Sequence, residues 1–173
     1  KSGLERLHGV FSKAKVVVVY GSTEAEPVAS IDAKEIVDEC YARSTQGHGY
    51  CVGYPIEEIE TLIIPLDFEE SVADDLKDIA LPDHCIGEIA VRGDHVNTQY
   101  WNDPVGEKKN KIQSPSGIWH RMGDAGYRDA QGRLWLVGRT HTAMKPPWEP
   151  NPSAGEGPFT PGKAAWIFPY QVE

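Results

Sequence analysis

Five consecutive residues, Tyr20-Gly21-Ser22-Thr23-Glu24, bring together groups that can handle a phosphorylated ligand. Tyr20 offers a flat ring. Gly21 lets the backbone approach a ligand closely, and Ser22 and Thr23 can donate to phosphate oxygens. Glu24 can hold a divalent cation. The set suits a nucleotide with its metal. A plain strand-to-loop turn fits the same pentapeptide, because glycine, serine and threonine are common turn formers.

Two later clusters carry similar ambiguity. Trp119-His120-Arg121-Met122-Gly123-Asp124-Ala125-Gly126-Tyr127 sets an acid beside a glycine after a strand, where it can accept hydrogen bonds from a ribose diol or simply cap a turn. Gly138-Arg139-Thr140-His141 follows an apolar run. Arg139 there can clamp a ribose or phosphate, or be a surface arginine.

The elements that position these groups begin with Val16–Val19, an uninterrupted β-branched run that predicts a buried, parallel strand. Ligands of open α/β folds sit beyond the carboxyl ends of such strands. Upstream, Gly3–Ser12 reads as a helix or loop. Downstream, Ser30 is the expected N-cap of a helix over Ile31–Tyr41, with Asp32 in its first turn. Gly47, Gly49 and Gly53 then punctuate the chain. From Tyr50 the pattern becomes one of short strands: Ile59–Leu66, Gly87–Arg92, Gly117–Arg121, and a hairpin of Tyr127-Arg128 and Leu134–Val137 around Asp129-Ala130-Gln131-Gly132. Asp67–Asp83 and Asn102–Ser116 read as loops. Such a run of strands predicts a small sheet or distorted barrel. Residues 146–173 hold seven of the 13 prolines, which excludes a long helix, while Trp148, Phe159, Trp166, Phe168 and Tyr170 favour partial packing.

Composition sets the outer limits. With 40% hydrophobic and 25% charged residues, the chain of 173 is that of a soluble globular protein. A net charge of −9 argues against a nucleic-acid partner. Cys40, Cys51 and Cys85 have no C-x-x-C spacing, so neither a disulfide framework nor a zinc site is expected, and a reducing cytoplasm is the default. No apolar run reaches the roughly 20 residues of a membrane span. The opening Lys1 reads as the start of a piece of a longer protein.

Taken in order, Tyr20–Glu24, Gly87-Glu88-Ile89-Ala90-Val91-Arg92-Gly93, Gly123-Asp124, Gly132-x-Leu134 and Gly138-Arg139 resemble the adenylate-forming superfamily, from about Val16 to Lys145. Within it, Trp119–Asp124 with Gly132-Arg133-Leu134-Trp135 resembles the bacterial olefin-pathway β-lactone synthetases and neighbouring acyl-CoA ligase-like proteins. The resemblance implies activation of a carboxylic acid, such as a fatty acid, by ATP and Mg²⁺ as its acyl-AMP. A thioester with coenzyme A or a lactone then follows.

The resemblance also implies roles. Tyr20 would stack on adenine, while Gly21 and Ser22 would line the junction of nucleotide and acyl pocket. Thr23 would bond the α-phosphate, Glu24 would ligate Mg²⁺, and Asp124 and Arg139 would hold the ribose. His141 takes the place of the family's hinge residue, usually an acid or lysine. The family's phosphate loop has no counterpart in Lys1–Lys15, and Gly162-Lys163 does not match the setting of the lid lysine. The implied architecture is α+β: residues 1–49 as the end of the nucleotide-binding region, 50–139 as a β-rich subdomain, and 140–173 as hinge and start of a lid. A non-catalytic truncated relative serving as a binding module is the rival expectation.

Overall fold

A computed structural model describes residues 2–11 and 13–144 of the chain. The proline-rich segment 146–173, its aromatic residues and Lys163 lie outside the described residues. Helix α1 (Ser2–Val10) precedes strand β1 (Val17–Ser22), which folds back through a tight turn onto β2 (Ala25–Asp32). A helical stretch follows: α2 (Ala33–Glu35), a π-helical turn (Ile36–Cys40) and α3 (Tyr41–Thr45). The remaining strands are β3 (Tyr50–Pro55), β4 (Ile59–Ile64), β5 (Gly87–Gly93), β6 (Lys111–Ser114), β7 (Gly117–Arg128) and β8 (Leu134–Arg139), with α4 (Pro104–Asn110) before β6. All named ladders are antiparallel, in the order β1-β2-β3-β8-β7-β5-β4, with β6 on β7. The α+β class holds, and the ladders follow an open path with β1 and β4 at its ends.

The valine strand departs from expectation. β1 is antiparallel and lies at the sheet edge, with Val17 43% and Val19 51% exposed. A β-branched run reports preference for extended backbone, whereas the neighbour is decided here by the turn Thr23-Glu24, too short for anything but a hairpin. β2 (Ala25–Asp32) takes up the expected N-cap Ser30 and the first residues of the expected helix. Ile31 packs in the core as a strand residue, and Asp32 rather than Ser30 caps the helix, accepting from the Lys34 N–H at 2.8 Å.

The two expected loops also hold structure. A 3₁₀ turn spans Leu76–Ile79, and Asn102–Ser116 contains α4 and β6. The start of α4 follows local rules: Asp103 accepts from the Gly106 N–H at 2.9 Å, and Pro104 takes the first turn.

The β7–β8 hairpin stands as expected, with Arg128 opposite Leu134. Its turn is closed by Asp129, which is fully buried. That carboxylate accepts from the Arg133 N–H and Nε (both 2.9 Å), the Trp135 indole (2.8 Å) and the Gln131 N–H (3.0 Å). Trp135, also without exposed surface, stacks on Tyr127 at 6.0 Å and carries the Arg43 guanidinium over its ring at 4.3 Å. Burying side chains of this size is worth about 1.5–3 kcal/mol each, so this hairpin anchors the site-bearing end of β7. A second apolar cluster joins β1–β2 to the main sheet through Tyr20, Val28, Val52, Ile89, Met122 and Leu134.

Candidate functional site

Tyr20 leaves β1 with its ring buried and its hydroxyl donating to Asp124 Oδ2 at 2.8 Å. Arg139, at the end of β8, donates from Nη1 to the other carboxylate oxygen at 2.8 Å. Three residues singled out in the sequence thus meet at one carboxylate. Burial, followed by the Asp124 charge and its hydrogen bond, pushes the Tyr20 phenol far above its ordinary value, so it stays a donor. The two contacts differ in weight. Arg139 is 55% exposed along its side chain, and an ion pair so wet is worth about 0–1 kcal/mol. The Tyr20 bond is shielded and fixes the carboxylate.

Asp124 is aimed by the residue before it. Gly123 has φ +67°, a left-handed conformation that strains any side-chain-bearing residue, and a Cβ there would lie 3.1 Å from Arg139 Nη2. Its N–H donates to Glu88 Oε1 at 3.2 Å. Buried Glu88 also accepts from Arg121 Nε at 2.8 Å. The Gly87-Glu88 motif therefore acts as a clamp on the strand that carries Asp124.

Glu24 sits at the β1–β2 turn, half-buried, and accepts from the Tyr100 hydroxyl at 3.1 Å through Oε1. Its carbonyl accepts from the Asn97 N–H at 2.7 Å. Burial raises the Glu24 carboxyl, but its own backbone N–H, the Tyr100 hydroxyl, the nearby Ser22 hydroxyl and the His120 charge together bring it below its ordinary value. The Ser22 hydroxyl is near enough to favour the charged carboxylate yet closes no hydrogen bond: its oxygen is buried and unpartnered.

Behind Tyr100 lies Lys111, only 1% exposed. Its Nζ donates to the Asn97 carbonyl, reaches His120 Nδ1 at 3.2 Å and stands 5.0 Å from the centre of the Tyr100 ring. Desolvation lowers the Lys111 ammonium, and desolvation with the Lys111 charge brings buried His120 down to about 4. His120 Nδ1 is also 3.2 Å from the Asn110 carbonyl.

The structure thus brings Tyr20, Asp124 and Arg139 into direct contact and sets Ser22 and Glu24 on the turn that leads away from them. Thr23 is exposed at that turn. Gly21 has a reason within the hairpin itself, since a Cβ there would meet the Ala25 carbonyl oxygen at 2.6 Å. His141 lies exposed in a 3₁₀ turn (Thr140–Thr142) just beyond β8. Tyr100, Lys111 and Glu88 carried no role in the sequence reading, and neither did His120 within its cluster. Tyr100-Trp101, an aromatic pair in a polar stretch, was the available signal. A lysine in core-facing β6 gave none.

A nucleotide and its metal fit these groups. Unpartnered buried Ser22 Oγ is a donor awaiting an acceptor. Glu24 is held in its charged form with one oxygen engaged, and no three His, Cys, Asp or Glu side chains gather as a metal cage among the described residues. A divalent ion here would lean on Glu24 and ligand oxygens, the way Mg²⁺ binds with nucleotide phosphates.

Known proteins share this segment. The chain is 38% identical over 125 residues to the olefin beta-lactone synthetase of Stenotrophomonas maltophilia, covering 69% of this chain and 22% of that protein. Against the 2-succinylbenzoate–CoA ligase of Arabidopsis thaliana it is 28% identical over 150 residues, 82% of this chain and 24% of the ligase. A long-chain-fatty-acid–AMP ligase of Mycobacterium tuberculosis is 31% identical over 114 residues, 61% of this chain and 20% of its own length. No family model matches the chain. Among solved structures, the unliganded O-succinylbenzoate coenzyme A synthetase of Bacillus subtilis superimposes with a TM-score of 0.61 at 22% identity, over 98% of this chain and 28% of that one. The amide bond synthetase of Marinactinospora thermotolerans gives 0.56 at 24% identity, over 82% and 25%. The chain spans only 20–24% of the length of these sequence relatives. Within that span, it belongs by sequence and fold to the adenylate-forming ligases and synthetases.

Proposed function

We propose that this segment carries part of the nucleotide site of an ATP-dependent enzyme that activates a carboxylic acid, of the fatty-acid class, as its acyl-AMP. The observation that carries the reading is the junction of Tyr20 from the edge hairpin with Asp124 and Arg139, paired across the distant β7–β8 hairpin, beside a turn bearing Ser22, Thr23 and Glu24. Asp124 and Arg139 take the ribose, and the Tyr20 ring takes the adenine. Gly21 and Ser22 face the junction with the acyl group, and Thr23 donates to the α-phosphate. Glu24 holds Mg²⁺, which when bound offsets the charge that develops on the phosphate as pyrophosphate leaves. Residues 1–49, 50–139 and 140–173 are assigned to nucleotide region, β-rich subdomain and hinge with lid, and His141 to the pivot. A reducing, cytoplasmic setting agrees with three unpaired cysteines. The relatives are ligases and synthetases, which does not favour a non-catalytic module.

The acyl-AMP has two fates: capture by coenzyme A as a thioester, or ring closure by a 3-hydroxyl of the acid itself. Identity to an olefin beta-lactone synthetase favours the second, and intramolecular attack carries a large proximity advantage. The full-length enzyme, given ATP, Mg²⁺ and a 3-hydroxy fatty acid with and without coenzyme A, tests both. Pyrophosphate release with a lactone in both arms is expected. A thioester formed only with coenzyme A rejects the lactone branch, and no pyrophosphate in either arm rejects acid activation.

A further inference from the structure

Two residues outside the nucleotide reading, half-buried Tyr100 and exposed Asn97, bind Glu24, and buried Lys111 lies behind them. Tyr100 binds the side chain of Glu24, and Asn97, three residues earlier, binds its main chain, so the loop after β5 straps the β1–β2 turn at two levels. The strap is itself pinned. Lys111 donates to the Asn97 carbonyl and sets its ammonium against the Tyr100 ring. This cation is almost wholly buried, and no carboxylate lies within ion-pair distance of it among the described residues. A buried charge without a direct partner is unfavourable for stability. Lys111 touches the strap on one side, through the Asn97 carbonyl and the Tyr100 ring, and His120 Nδ1 on the other at 3.2 Å.

We infer that Tyr100 is a positioning residue for Glu24, fixing one carboxylate oxygen so that the other faces a divalent cation, and that Lys111 holds Tyr100 and Asn97 in place for that task. The inference rests on the proposed metal role of Glu24. Oε1 accepts from the Tyr100 hydroxyl at 3.1 Å, while the Ser22 hydroxyl and the residue's own N–H lie near enough to favour the charged carboxylate. Partners of this kind behind a metal ligand change metal affinity by roughly 10–100-fold when removed.

The test uses the full-length protein with Mn²⁺ as probe and a non-hydrolysable ATP analogue, reading free Mn²⁺ by electron paramagnetic resonance. Tyr100→Phe keeps the ring over Lys111 and removes only the hydroxyl. It should weaken Mn²⁺ binding roughly 10-fold or more with a melting temperature near that of the parent. Combined with Glu24→Gln, it should produce no further loss, because Tyr100 acts through that carboxylate. Full affinity in Tyr100→Phe while Glu24→Gln binds weakly would overturn the positioning role alone, as would additive losses in the double variant. Unchanged Mn²⁺ affinity in Glu24→Gln would overturn the metal role and the inference with it.

Discussion

Tyr20 and Asp124 stand 104 positions apart in the chain yet share a 2.8 Å hydrogen bond that fastens the edge hairpin to the β7–β8 corner. Asp124→Ala in the full-length enzyme should weaken AMP binding by roughly 1.5–3 kcal/mol, the value of a charge-assisted bond lost from the ribose. It should also lower stability, because the buried Tyr20 hydroxyl loses its acceptor, and adding Tyr20→Phe should recover part of that loss. Calorimetry showing unchanged AMP affinity would end the ribose assignment.

Glu24→Gln should behave differently. It keeps the shape of the side chain and its contact with Tyr100 but removes the charge. ATP–pyrophosphate exchange should fall and need more Mg²⁺ for half-maximal rate, with AMP affinity little altered. A Mg²⁺ titration that overlays the parent curve would count against the assignment.

The buried His120 makes stability depend on pH. It is held near pKa 4 in the fold against about 6.5 in the unfolded chain, so between these values the unfolded state binds more protons. Its contribution is complete above pH 6.5 and is lost as pH falls toward 4, an effect on the order of 3 kcal/mol. Urea unfolding at pH 7 and at pH 4.5 measures it, and His120→Gln should flatten the dependence.

Asp129→Ala should unfold the hairpin that supports the site. It strips a buried acceptor from two donors of Arg133, the Trp135 indole and the Gln131 N–H, leaving Arg133 charged and almost unexposed. Breaking one half of such a buried pair costs about 3–5 kcal/mol. Equilibrium urea denaturation reads the loss directly, and a drop below about 1 kcal/mol would contradict the central place given to Asp129.

What could be read from the residues follows from how local each cause is. β5 and the β7–β8 hairpin were legible because alternation and an Asp-Ala-Gln-Gly turn act over a few positions. Asp103-Pro104 announced α4 in the same local way, although the surrounding polarity reads as loop. β2 was hidden: Ala25-Glu26-Pro27-Val28-Ala29-Ser30 alternates weakly, and Asp32 lies close enough to Ser30 that either could start the helix. The exposure of β1 depends on what packs beside it, which no valine states. Tyr20, Asp124 and Arg139 were recognisable as a set, but their meeting at one carboxylate is a fact of the sheet order. Lys111 was illegible, since burial of a lysine contradicts every local preference.

The seam between β2 and β3 is narrow: only Ala29 opposite Pro55 and Ser30 opposite Tyr54 are in register. Beyond that ladder the β1–β2 hairpin is a leaf held by main-chain bonds from Ile56 N–H to the Val28 carbonyl and Asn97 N–H to the Glu24 carbonyl, and by side chains through Tyr20 to Asp124, Glu24 to Tyr100, and His95 Nε2 to the Pro27 carbonyl at 3.0 Å. Such a leaf should open as one cooperative unit below the cost of global unfolding. Amide protons of β1 and β2 should then exchange together and ahead of those of β5 and β7, and any molecule that spans Tyr20 and Asp124 closes the leaf as it binds, converting its affinity into protection of a whole hairpin.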